Sequence, residues 1–183
     1  MNPALHAACA ALIATLAATP ALAQTPYPTK PVRILTGSPP GAPSDLVARI
    51  LAQQLGGKLK QSVVVENPPA GHNRLAASQA ARADADGYTL LVTPDTVVTV
   101  NPLLYKKMEF DPRADLVPVA RVASFNQMLV CNAALKIGTA AQLVTGSREK
   151  TLTYASGGLG SPGHLAAAMF LSGAGIAMDH IPY

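Results

Sequence analysis

The feature that most constrains the fold of this chain is an alternation of short apolar runs with helix-like stretches. Apolar runs at 32–36, 62–66 and 88–93 are separated by helical patterns at about 44–59 and about 74–83. Connections of this length suit crossover helices between parallel strands, and such crossovers are right-handed. The alternation therefore predicts an α/β fold whose parallel sheet is covered by helices on both faces.

Three loops leave the carboxyl ends of these predicted strands, at 36–45, 67–73 and 93–96. In parallel α/β sheets, ligands bind beyond the carboxyl ends of the strands. The topology therefore predicts that the three loops converge on one cleft.

The first loop, 36–45, reads Thr-Gly-Ser-Pro-Pro-Gly-Ala-Pro-Ser-Asp. We predict Ser44 as the helix N-cap and Asp45 in the first turn, where a negative charge suits the helix dipole. Its prolines stiffen the loop, and Gly37 and Gly41 allow the backbone to approach a ligand closely. A rigid loop that presents N–H groups at a helix start favours an anion site. A proline-rich turn that binds nothing fits the same residues.

The pattern changes after about residue 116, where a second βα unit begins. Thr139 is a plausible N-cap for its first helix, and Cys131 is expected to be a small buried residue of an apolar strand. The predicted strands are 117–123, 128–132, 152–155 and 176–181, and the predicted helices are 139–145 and 162–173.

A second loop between a strand and a helix, 156–164, reads Ser-Gly-Gly-Leu-Gly-Ser-Pro-Gly-His. Residues 158–163 match G-x-G-x-x-G, and Asp179 follows at the distance of a dinucleotide fingerprint, so a fragment of a dinucleotide-binding oxidoreductase is one alternative. The simpler interpretation is a second anion cradle in which Ser161 is the N-cap and the glycines expose N–H groups. His164 then either donates to a carboxylate or packs against local backbone.

Other kinds of chemistry lack their signatures. No Gly-Lys-Ser/Thr follows either loop, no Cys/His spacing suits a metal, and no Gly-x-Ser-x-Gly elbow is present, so we expect neither an enzyme nor a metal site. The net charge is +4 with 13% charged residues and no tryptophan, and the basic residues form no run. This composition argues against nucleic-acid binding and suits the attraction of small anions.

Residues 1–23 are predicted to be a secretory signal peptide that ends Ala21-Leu22-Ala23, although its start carries no Lys or Arg. No later segment is long and apolar enough to span a membrane, so we expect a soluble periplasmic product. Cys131 would then be the single cysteine of the mature chain, which excludes an internal disulfide. The chain stops at Tyr183 just as its second unit begins, so it is expected to be a fragment of a longer protein.

Short motifs along the whole mature chain carry a family resemblance. Examples are Tyr-Pro-Thr-Lys-Pro at 27–31, Val-Val-Val-Glu-Asn at 63–67 and His-Ile-Pro-Tyr at 180–183. Further landmarks, in family order, lie at 39–45, 86–91, 101–105, 110–112, 152–157 and 161–165. On these residues the chain resembles the Bug-type (TctC-like) periplasmic solute-binding receptors of tripartite tricarboxylate transporters.

The resemblance implies a two-lobed, type II-like periplasmic binding protein with parallel-sheet lobes. Lobe one would cover 24–115, and 116–183 would be the start of an incomplete lobe two. Such a receptor is a monomer without a cofactor that closes on a small carboxylate-bearing ligand and delivers it to membrane permease subunits.

The resemblance also implies which residues hold the ligand, largely through backbone N–H groups and hydroxyl side chains. The chain departs from the family pattern at four places. Ala42 and His72 each replace a glycine, and the aromatic or bulky residue usual near Ser38 is missing. Asp95 replaces a small polar residue, and its charge would weaken carboxylate binding. The implied ligand-binding residues are Ser38, Pro39, Gly41, Ala42, Ser44, Thr93, Thr96, Ser156, Gly157, Gly160, Ser161 and His164.

Overall fold

The first half of the chain forms a three-stranded parallel sheet in the computed structural model, which describes residues 26–68 and 73–183. Its strand order is β2-β1-β3, so the first strand lies in the centre. This arrangement confirms the predicted α/β fold. The strands are β1 (Val32–Leu35), β2 (Val63–Glu66) and β3 (Thr89–Leu91), and the helices that connect them are α1 (Pro43–Leu59) and α2 (Arg74–Ala81).

The central strand β1 supplies the core of this half. Val32, Ile34 and Leu35 are each 1% exposed, because their strand has a hydrogen-bonded neighbour on either side and helices pack on the sheet. Arg33 alternates to the open side and pairs with Glu66 through two hydrogen bonds of 2.8 and 2.7 Å. The buried apolar face therefore fixes the register of the sheet and hence the positions of the loops at its carboxyl edge.

Two short helices follow β3, namely α3 (Thr96–Thr99) and α4 (Asn101–Leu104). Val97 of α3 is buried against Ala77 of α2 and Phe110, with Leu91 beside them. This cluster holds α3 and α4 against the first sheet, just beyond its carboxyl edge.

The second half contains a parallel pair of strands, β4 (Thr153–Ser156) and β5 (Asp179–Pro182). Helix α5 (Ala140–Glu149) precedes them, and helix α6 (Pro162–Ala174) connects them. The N-cap predicted at Thr139 is confirmed, since its side chain accepts a hydrogen bond from the Gln142 amide at 3.2 Å. The two halves thus repeat the same strand–loop–helix unit.

The strands predicted at 117–123 and 128–132 are wrong. These residues form no strand, and Val117 and Val130 are 85% and 77% exposed. A strand needs a neighbour to bond its backbone N–H and C=O groups, and neither described sheet supplies one here. The prediction that Cys131 is buried fails for the same reason, because its thiol is exposed.

The predicted signal peptide, 1–23, lies outside the described residues, as does His72 in the loop 67–73. Among the helices that the structure describes, none combines the length and apolar character needed to cross a membrane.

Candidate functional site

Asp45 anchors the first loop from inside. Its side chain is 1% exposed, and its carboxylate accepts hydrogen bonds from the Gly41 amide at 2.8 Å, Arg49 Nε at 2.9 Å and Asn67 Nδ2 at 2.9 Å. The bond from Arg49, with the Gly41 amide and Asn67 supporting it, lowers the pKa of Asp45 to about 2 despite its burial. The loop is therefore organised around the Asp45 carboxylate. This carboxylate already accepts the hydrogen bond from the Gly41 N–H.

The prediction that Ser44 caps α1 is wrong. The helix begins at Pro43, and Ala42 is the N-cap residue, with no side-chain hydrogen bond to the first turn. Proline suits the first helical position because its φ is already helical and its missing N–H would have no intrahelical partner. Asp45 lies in the first turn as predicted, but it serves the loop as well as the helix dipole.

Side-chain hydrogen bonds join the loop 36–45 to the loop 67–73. Asn67 Nδ2 donates to the Ser38 carbonyl at 2.9 Å, and Ser38 Oγ donates to Asn73 Oδ1 at 3.3 Å. A Cβ atom on Gly37 would lie 2.2 Å from the Asn73 Cα, so only glycine fits where these two loops are in contact. Sequence reasoning missed Asn67, although its place directly after β2 was a signal.

The second-half loop forms the helix start that the sequence predicts. Ser161 is the N-cap of α6, since its Oγ accepts a hydrogen bond from the His164 amide at 3.2 Å, and Pro162 is the first helical residue. Gly158 and Gly160 have φ values of 100° and 75°, which side-chain-bearing residues rarely adopt. The Gly160 amide donates to His164 Nδ1 at 3.2 Å, so this N–H is already used within the loop.

Three stacked rings lie beside this loop. His180 of β5 lies between Tyr154 and His164, with ring centroids 4.8 and 4.4 Å away. Ser156 Oγ lies 2.7 Å from His180 Nε2, which fixes the ring at the end of β4. Burial, and secondarily the neighbouring His180, lowers the pKa of His164, so the neutral imidazole is favoured. His164 thus packs against local backbone, and its donation to a ligand stays a prediction.

The loops of the two sheets meet in a narrow cleft at the start of α6. From the first half it is lined by Asn73, Thr96, Val97 and Asn101, and from the second half by Gly157, Leu159, Gly160 and Ser161. No charged side chain lies among these described lining residues. The enclosed space is about 20 Å³, room for about one water molecule. The cleft can therefore bind through hydroxyl groups, side-chain amides and helix-start dipoles.

Four of the residues implied by the resemblance line this cleft: Thr96, Gly157, Gly160 and Ser161. Thr93 precedes Thr96 by three residues in the sequence, and its buried Oγ1 has no hydrogen-bond partner among the described residues. The other eight implied residues do not line the described cleft: Ser38, Pro39, Gly41, Ala42, Ser44, Thr93, Ser156 and His164.

Sequence reasoning missed two asparagines of the cleft. Asn73 starts α2 with a left-handed backbone, and Asn101 lies where α3 gives way to α4. Asn101 and Pro102 begin the family landmark at 101–105, but no binding role was predicted for the asparagine, although an asparagine beside a helix break is a signal for a polar role.

A larger depression of about 460 Å³ lies at the opposite end of the second sheet, beside Arg148, Gly175 and Asp179. This end carries the amino termini of the strands, whereas α/β proteins bind ligands beyond the carboxyl termini. We therefore assign the candidate site to the small cleft at the start of α6.

The dinucleotide alternative does not survive the structure. Asp179 is the first residue of β5 and is paired in register with Thr153, the first residue of β4. The glycine loop follows the last residue of β4, so Asp179 lies about 10 Å away at the wrong end of the sheet. A ribose bound at the glycine loop would be out of its reach.

A protein-family model for the tripartite tricarboxylate transporter family receptor matches residues 47–183. The chain belongs to this family. The match covers both sheets except β1, and it confirms the resemblance drawn from the sequence landmarks.

Relatives of the receptor chain agree with this assignment. Protein BugT of Bordetella pertussis is 34% identical and aligns with 91% of this chain and 52% of its own length. Among solved structures, R. palustris Rpa4515 with adipate is 31% identical and has a TM-score of 0.81. The superposition covers 86% of this chain and 53% of the Rpa4515 chain. The periplasmic binding protein BugD is 26% identical with a TM-score of 0.70, covering 86% and 53%. The chain thus spans about half the length of the curated relatives it matches.

Proposed function

We propose that this receptor chain binds a small carboxylate-bearing solute in the cleft between its two sheets. The observation that carries the proposal is the start of α6, where Ser161 and the glycine loop face Thr96 and Asn101 of the first half. A carboxylate at a helix N-terminus is stabilised by about 0.3–1 kcal/mol, and by up to about 2 kcal/mol when partly buried. The adipate in the Rpa4515 neighbour supports this class of solute.

Recognition without a charged side chain suits a receptor that must release its solute. An Arg or Lys partner would add a strong charge-assisted bond, whereas amides and hydroxyls give several weaker ones. The cleft holds only about 20 Å³, so the two loops must separate for a solute to enter and close again around it. Such closure is the movement by which a binding protein signals that it is occupied.

The further parts of the proposal follow the family. The mature protein acts in the periplasm after removal of residues 1–23, as a monomer, and delivers the solute to membrane permease subunits. It binds and does not catalyse, since the cleft lining that the structure describes pairs no nucleophile with a base. No cofactor or metal takes part in this binding.

Isothermal titration calorimetry with mono-, di- and tricarboxylates, and with the matching uncharged amides, tests the proposal. We expect saturable binding of at least one acid and none of its amide. Nicotinamide dinucleotides serve as the rival ligands, and binding of these without any carboxylate would overturn the proposal.

Two glycines of the same segment provide a matched pair of variants. A Cβ at Gly160 would lie 2.9 Å from both Asn101 Oδ1 and Leu104 Cδ2, whereas a Cβ at Gly173 within α6 meets nothing within 4 Å. Gly160→Ala also forces alanine into a φ of 75°, so we expect carboxylate affinity to fall about tenfold or more. Gly173→Ala should leave affinity unchanged, and equal effects of the two variants would contradict the site.

A further inference from the structure

Asn101 presents a buried hydrogen-bond acceptor to the cleft. The residue is 4% exposed, and its Oδ1 has no hydrogen-bond partner among the described residues. The atom faces the start of α6, because a Cβ on Gly160 would lie 2.9 Å from it. An unpartnered buried acceptor on the first half thus lies opposite the helix start on the second half.

Two amides at the start of α6 already have acceptors within the loop. The Gly160 amide already donates to His164 Nδ1 at 3.2 Å, and the His164 amide donates to Ser161 Oγ. Buried acceptors in native proteins nearly always have a donor in the protein or in ordered water, so the cleft in front of Asn101 Oδ1 is a place for a donor from a water or a solute.

The chemistry of that partner is restricted. An ionised carboxylate carries acceptors only, so it cannot donate to Asn101 Oδ1. A solute that satisfies both Asn101 and the start of α6 needs a hydrogen-bond donor beside its carboxylate. A hydroxyl fits better than an ammonium group, because no charged side chain lines the described cleft and a buried cation would lack a counterion.

We propose that Asn101 Oδ1 accepts a hydrogen bond from a hydroxyl group of the solute, so that the receptor prefers hydroxy acids to their deoxy analogues. This inference rests on the proposed function, since it assumes a carboxylate at the start of α6. Asn101 then sets specificity, while the helix start and Ser161 supply the binding of the carboxylate itself.

Two pairs of acids that differ by one hydroxyl group test the inference: malate with succinate, and citrate with tricarballylate. Leaving a buried acceptor unpartnered costs about 1–3 kcal/mol, which converts to about 5- to 150-fold in affinity. We therefore expect calorimetry on the chain to show the hydroxylated member of a binding pair to be tighter by this factor. Aspartate is measured beside malate, and tighter binding of aspartate would overturn the choice of a hydroxyl.

The variant Asn101→Leu removes the acceptor but keeps a similar volume. We expect the hydroxy acid to lose its 5- to 150-fold advantage while the deoxy acid keeps its affinity within about threefold. A merely structural role of Asn101 would weaken both acids equally. Asn132→Leu, at an exposed asparagine that lies outside the described cleft lining, is the matched control and should leave the ratio unchanged.

The outcomes separate the two proposals. Equal affinity for both members of a pair, or equal losses in Asn101→Leu, would overturn the role of Asn101 and leave carboxylate binding intact. Failure of every carboxylate in the wider panel to bind would overturn the proposed function and this inference with it.

Discussion

Replacing Asp45 by asparagine tests whether a buried anion organises the first loop. The carboxylate is 1% exposed and accepts bonds from Gly41, Arg49 and Asn67. Its pKa falls from 3.8 to about 2 on folding, which corresponds to about 2 kcal/mol of stability at neutral pH. We expect Asp45→Asn to reduce the free energy of unfolding at pH 7 by at least this amount, because the amide also lacks one acceptor.

The direction of the pKa shift determines how the stabilisation by Asp45 changes with pH. Because the pKa of Asp45 is lower in the folded state, the stabilisation is fully present above pH 3.8 and is lost as the pH falls through about 2. Urea unfolding of both proteins from about pH 7 down to about pH 2 should therefore show the difference between them shrinking at the acid end.

Asp84→Asn is the matched control for this experiment. Asp84 is exposed and makes no side-chain hydrogen bond among the described residues, so its removal should change stability by less than about 0.5 kcal/mol. The reasoning would be refuted if the two variants behaved alike, or if the loss in Asp45→Asn were independent of pH.

Three further experiments test other parts of the molecule. Ser161→Ala and Thr139→Ala each remove a helix N-cap and should each reduce stability by about 1 kcal/mol, but only Ser161→Ala should also weaken carboxylate binding in calorimetry. The exposed Cys131 thiol should react with a disulfide reagent in the folded state at the rate of a model thiol, and protection from the reagent would place it in a buried strand. Because the pKa of His164 is lowered by folding, its protonation favours the unfolded state, and stability should fall as the pH drops through 6.5. Thermal midpoints at about pH 5.5 and about pH 7.5 should differ less in His164→Gln than in the unaltered protein.

Local signals in the sequence predicted the elements that depend on local chemistry. The N-caps at Thr139 and Ser161 are confirmed, because the hydroxyl of an N-cap residue reaches the amide two or three residues later. The alternation of apolar runs and helical patterns likewise predicted the parallel strands, since each crossover is encoded in a continuous stretch.

Features that depend on distant partners were missed or wrong. The segments 117–123 and 128–132 have strand-like sequences, but a strand forms only where a neighbour bonds its backbone. Asp45 was predicted as a helix-dipole residue, and its bond to Asn67 depends on the adjacent strand β2. Asn101 lies in a family landmark but was assigned no binding role, because that role arises only where the second half of the chain approaches the first.

The position of the bound solute tests the central claim most directly. Amide resonances of the ¹⁵N-labelled chain, followed as a tightly binding carboxylate is added, report which backbone groups change environment. We predict the largest shifts at Thr96, Gly157, Gly160 and Ser161, whose residues line the cleft at the start of α6. Shifts confined to the depression beside Arg148 and Gly175 would contradict this account.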